Sequence, residues 1–116
     1  MSTLTQRPSS GAGSGRLTLD RRHDGDSVTL ILRGEVDLSS APVLDRDLHH
    51  AESLQPRRIS LDLADLDFID CTGIHLLIGA QQRADVNGHQ LVLTHVPGHA
   101  QRLFSLTGLN AQLNIE

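Results

Sequence analysis

The feature that most constrains this chain is a change of hydrophobic period at one point. Ile59, Leu61 and Leu63 alternate with Ser60 and Asp62, the period of a half-buried strand, and the run leads through Ala64 to Ile69. At Asp70-Cys71-Thr72-Gly73 the period becomes helical. From about Thr72 to Val86, the residues Leu76, Leu77, Ala80 and Ala84 form an inward stripe with Ile74 and Ile78 beside it, and His75, Gly79 and Gln82 share the opposite face. Asn87-Gly88 closes that helix as a C-cap.

The same grammar recurs on both sides of this junction. Leu17 and Leu19 alternate with Thr18 and Asp20, and Asp24-Gly25-Asp26 is a turn. The nearly continuous run Val28 to Leu32 carries the mark of a strand covered on both faces, and the two strands read as an antiparallel hairpin. Ser39, Ser40 and Asp37 ahead of Pro42 announce a helix. Leu44, Leu48 and Ala51 share one of its faces, and it ends near Ser53. Gln90 to Val96 reads as a strand, and Pro97-Gly98 starts a short helix that buries Leu103, Phe104 and Leu106 and stops at Thr107-Gly108. Leu113 and Ile115 form a last strand or turn against the body. This alternation predicts an α/β fold over residues 16–116: one domain with a four- to five-stranded mixed sheet and helices packed mainly on one face. Residues 1–15, rich in Ser, Gly and Thr, read as a flexible tail.

Composition narrows the function. With 116 residues, one core is available, and Leu, Ile and Val must fill it, because Phe68 and Phe104 are the only aromatic residues. A formal charge of −4 and the lack of stacking rings argue against direct nucleic-acid binding. No stretch approaches the roughly 20 apolar residues of a membrane span, so no membrane partner is expected. The single cysteine, Cys71, forbids an internal disulfide and predicts a cytoplasmic protein.

The junction carries the chemistry. A helix N-terminus presents unsatisfied amides and a partial positive potential, and phosphate groups are held well there. Around it, Asp67-Phe68-Ile69-Asp70-Cys71-Thr72-Gly73-Ile74 resembles the hallmark segment of the STAS family of anti-sigma factor antagonists. Leu32-Arg33-Gly34-Glu35-Val36-Asp37 is similar to the family's turn after the second strand, and Arg102 to Leu109 is similar to its closing helix and Thr-Gly-Leu exit. The three blocks occur in family order. The resemblance implies a binding module, not an enzyme, that needs no cofactor. Its partner would be an anti-sigma factor with an ATP-binding serine-kinase fold, its binding would free a sigma factor for transcription, and a phosphatase would reset the phosphorylated form. Carried over by position, Asp37, Asp70, Cys71, Thr72, Gly73 and His75 would form the partner-binding surface. Gly73 would keep the helix start bare for the partner's approach.

Position 71 departs from the family, which has its phosphoacceptor serine there, with Thr72 next to it. Four readings follow: Cys71 is an inert replacement, Thr72 is the acceptor instead, the phosphate switch is lost, or the thiol is itself a redox-sensitive switch. The last would suit a STAS interaction module of another regulatory complex. A catalytic thiol is a further reading. A phosphatase would need an arginine six residues after the cysteine, where Leu77 stands, and a Cys–His pair would need a histidine such as His95 nearby. No metal site is expected, since the adjacent His49 and His50 point about 100° apart on a helix. Asp62 and Asp65 read as solvated charges, and Asp70 as a helix cap whether or not it also meets a partner.

Overall fold

The computed structural model describes residues 17–108 and 111–116. The segment read as a tail, residues 1–15, lies outside the described residues, as does Leu109 of the Thr-Gly-Leu exit. Seven elements follow one another: β1 (Leu17–Asp24), β2 (Ser27–Val36), α1 (Ala41–Ser53), β3 (Arg58–Ile69), α2 (Cys71–Asn87), β4 (Gln90–Thr94) and α3 (Gly98–Leu106). The sheet has the order β1-β2-β3-β4. β1 and β2 form the antiparallel hairpin, while β2/β3 and β3/β4 are parallel and joined across α1 and α2. At the far edge Leu93 of β4 bridges Ile115, through Leu93 N–H to the Asn114 carbonyl and Glu116 N–H to the Leu93 carbonyl, both 2.9 Å. The sheet is therefore mixed, with four strands and a one-residue fifth contact.

Register explains the core. Val28 and Leu30 pair with Ile59 and Leu61, which pair with Leu91 and Leu93, so one face of the sheet is an apolar grid. Leu44, Leu48 and Ala51 of α1, Ile74, Leu77, Ala80 and Ala84 of α2, and Ala100 and Phe104 of α3 join that grid in a single cluster. On the other face Thr29, Ile31, Ser60 and Asp62 remain half-buried. The expectation that Val28–Leu32 is covered on both sides is thus corrected: Ile31 faces the thinly covered side.

β3 solves a phase problem. Its buried residues fall at Ile59, Leu61, Leu63, Leu66 and Ile69, a spacing that plain alternation cannot give. Two register shifts, between Ile31/Arg33 and between Gly34/Glu35, each add a residue on β3 and turn Leu66 and Ile69 back to the core. β4 is shorter than the Gln90–Val96 expected, because His95 takes φ 54° and ends the extended run. The tie that holds α1 to α2 is a two-pronged ion pair from Arg83 to Glu52, at 2.9 and 3.0 Å. Leu106, expected in the core, is 81% exposed. α3 buries Ala100 and Phe104, one turn apart, and a residue two positions beyond Phe104 turns about 200° away from that face. No helix among the described residues is long and apolar enough to cross a membrane.

Candidate functional site

The C-terminal ends of β2 and β3 lie side by side, with Val36 registered against Ile69. Asp70 continues that pairing by donating its N–H to the Val36 carbonyl at 3.1 Å. The loop after β2 and the start of α2 are therefore neighbours, and this edge of the sheet collects Asp37, Asp70, Cys71 and Thr72. Two shallow depressions among the described residues lie elsewhere. One is lined by Ser27, Arg58 and Gln90, at the opposite edge where the parallel strands begin, and the other by His23, Leu54 and Pro56.

Asp70 is the N-cap of α2 in extended geometry, and its Oδ1 accepts the amides of Thr72 at 2.9 Å and Gly73 at 3.2 Å. The cap expected from sequence is present. Cys71 opens the helix and is exposed, and among the described residues no side chain hydrogen-bonds its thiol. His75, also exposed, follows four residues later and so shares the outer face of α2 with Cys71. Thr72 is half-buried.

Gly73 acts inward. It is buried, and a Cβ at this position would lie 2.7 Å from Val36 Cγ1 and 2.7 Å from Ile69 Cγ1. The expectation that Gly73 bares the surface for a partner is corrected: its missing side chain lets α2 sit down on the ends of β2 and β3.

The Asp37 loop is built as tightly. Asp37 Oδ1 accepts the amides of Ser39 at 3.0 Å and Ser40 at 3.1 Å, and its carbonyl accepts the Ala41 N–H at 2.8 Å. Ser40 occupies the N-cap position of α1 but makes no side-chain cap. Its hydroxyl instead turns back, donating to the Glu35 carbonyl at 2.8 Å and accepting the Asp37 N–H at 3.0 Å. The sequence does not distinguish this buried serine from an ordinary cap signal of the Ser39-Ser40 kind. Two exposed apolar residues flank the same edge and were also missed as site residues: Leu38, 76% exposed, and Phe68, 46% exposed and registered beside Glu35.

The acidic residues of β3 separate by role. Asp62 accepts the Ala64 N–H at 3.0 Å and faces His95 Nδ1 at 3.3 Å, so His95 is engaged in mid-strand and not at the edge that carries Cys71. Asp65 lies 3.4 Å from Arg33. The Arg33 guanidinium is held above its ordinary range, first by its hydrogen bond to Asp20 and then by the charges of Asp20 and Asp65.

A family model described as "Mlab, STAS domain" matches residues 19–115. The chain is 26% identical over 96 residues to an anti-sigma-B factor antagonist of Listeria monocytogenes, covering 83% of this chain and 84% of that one. It is 27% identical over 99 residues to the anti-sigma-B factor antagonist of Bacillus subtilis, covering 85% and 90%. Its fold matches the crystal structure of an anti-sigma factor antagonist from Mycobacterium paratuberculosis with a TM-score of 0.79 at 19% identity, over 90% of this chain and 88% of that one. The hairpin-led mixed sheet, the capped helix that springs directly from β3 and the family match over nearly all described residues converge: this chain belongs to the STAS domain family.

Proposed function

We propose that this chain is an anti-sigma factor antagonist: it binds an anti-sigma factor of the ATP-binding serine-kinase type and so frees a sigma factor for transcription. It acts by binding, without catalysis, and works in the cytoplasm. The observation that carries the reading is the edge where the hydrogen bond from Asp70 to Val36 joins the exposed start of α2 to the Asp37 loop. The names of its relatives, which span most of this chain, support the same role.

Charge is the switch such a surface would use. A phosphoryl group carries about −1.5 to −2 charge at neutral pH. On Thr72 it would stand beside the Asp70 carboxylate that already accepts the Thr72 amide, and like charges at the centre of a contact surface oppose docking. Thr72 is the hydroxyl nearest the family's acceptor position, and a phosphatase would reverse its modification. A second reading has its own observation: the Cys71 thiol is exposed at the first position of α2, which suits a STAS module whose binding responds to oxidation.

The test is intact mass and complex formation after incubation with each ATP-binding anti-sigma factor of the source organism plus ATP. A gain of one phosphate, absent in Thr72→Ala, with complex formation by the unphosphorylated chain and not by the phosphorylated one, is the expected result for the kinase-switched form. A complex with unchanged mass places the protein outside phosphate control. No complex with any candidate refutes the antagonist reading.

A further inference from the structure

The turn between β2 and α1 pairs two unusual features. Ser40 is the one buried polar residue among the described residues, 2% exposed, and its hydroxyl ties the turn to Glu35 and Asp37. Two positions earlier, the same turn leaves Leu38 about three-quarters exposed to solvent. Leu54, Val86 and Leu106 are exposed as well, but each sits in the last turn or cap of a helix, where single exposed apolar residues are ordinary. Leu38 alone stands on a turn held from beneath by a buried hydroxyl.

We propose that Leu38 is an apolar anchor that inserts into the anti-sigma factor, and that Ser40 is the positioning residue that presents it. The proposal rests on the antagonist reading above. A leucine on a loose loop would surrender conformational freedom on docking, whereas one on a pre-formed turn has little left to lose. The surroundings define the socket. Glu35, Asp37, Asp67 and Asp70 belong to the same edge of the sheet, and Phe68 lies beside Glu35. An apolar centre with an acidic border matches a partner surface that is apolar at its floor and basic at its rim.

The test is a double-mutant cycle with the full chain, titrated against the ATP-binding anti-sigma factors of the source organism in the presence of a non-hydrolysable ATP analogue. Leu38→Ala is expected to weaken binding at least about tenfold, more than most interface residues cost, while its melting temperature stays at the wild-type value. Ser40→Ala is expected to weaken binding as well and to speed hydrogen exchange at the Asp37 amide, which loses the Ser40 hydroxyl as its acceptor. The double variant should bind no worse than Leu38→Ala alone, because Ser40 acts through Leu38. A purely structural effect of Ser40 would add to that of Leu38 and would overturn its positioning role. Affinity should fall as salt rises, and salt-independent binding would overturn the basic rim. Wild-type affinity in Leu38→Ala overturns the anchor while leaving the antagonist reading intact. Failure of the wild-type chain to bind any candidate overturns the antagonist reading, and the anchor with it.

Discussion

Replacing Gly73 by alanine puts a methyl group into space that two buried side chains already fill. The new carbon would lie 2.7 Å from Val36 Cγ1, 2.7 Å from Ile69 Cγ1 and 3.1 Å from Ile69 Cδ1. Both neighbours are β-branched and enclosed at the strand ends, so neither can swing into solvent. Overpacking of this kind costs about 1–3 kcal/mol. Helix propensity opposes it by at most about 1 kcal/mol, and by less in the first turn. The net expectation is a loss of about 1–2 kcal/mol, equivalent to a fall in melting temperature of roughly 5–15 °C for a domain of this size. Gly79, six residues further along the same helix, is the internal control. A Cβ there would meet only Arg83 Nη1 at 3.7 Å, an ordinary contact, so Gly79→Ala should stabilise by about 0.5–1 kcal/mol. Urea unfolding followed by circular dichroism, with a common slope for all variants, reads both numbers. If Gly73→Ala is as stable as wild type, or if both variants shift in the same direction, then the close seating of α2 on Val36 and Ile69 is wrong.

Three further substitutions probe the same frame. Asp70→Ala removes the acceptor for the Thr72 and Gly73 amides and should cost about 1 kcal/mol by thermal denaturation, while Asp70→Asn should stay within a few tenths. Glu52→Ala strips Arg83 of its two-pronged partner between α1 and α2. The Glu52 side chain is only 11% exposed, and the expected loss is about 1–2 kcal/mol, most of it absent when Arg83 is also replaced. Gln55 follows the C-cap of α1 with φ 55°, a conformation that strains any residue but glycine, so Gln55→Gly should raise denaturant resistance by about 0.5–1 kcal/mol.

Most of the architecture was legible because periodicity and punctuation agree. The Leu17/Leu19 alternation, the Asp24-Gly25-Asp26 turn and the Asn87-Gly88 stop all sit where the hairpin and the end of α2 lie, and Gly88 takes φ 83° as the C-cap of α2. What escaped depends on geometry that spacing does not encode. Nothing in Ala64 to Phe68 announces the two added residues that turn Leu66 and Ile69 back to the core, because a bulge is set by the partner strand as much as by its own. Leu106 was assigned to the core on hydrophobicity, yet its helical phase relative to Phe104 points it outward. At the site, Asp70 could be read as a cap from its place before the helix. Ser40 could not be read correctly, since the same residue type serves both as an outward cap and as an inward tie. Gly73 was noticed for the right position and the wrong side: what a glycine avoids touching becomes visible only once Val36 and Ile69 are placed beneath it.

The edge formed by the Asp37 loop and the start of α2 is the surface proposed to meet an anti-sigma factor. Titrating Cys71→Glu and Cys71→Ser against the ATP-binding anti-sigma factor that the wild-type chain binds, with a non-hydrolysable ATP analogue so that the new serine cannot be phosphorylated, tests this most directly. Glutamate suits the first turn of a helix, so the fold is kept while a negative charge is set at the exposed opening position of α2. Wild-type affinity is expected for Cys71→Ser and at least a tenfold loss for Cys71→Glu. Equal binding by both variants would place the interface elsewhere on the molecule and contradict the proposal.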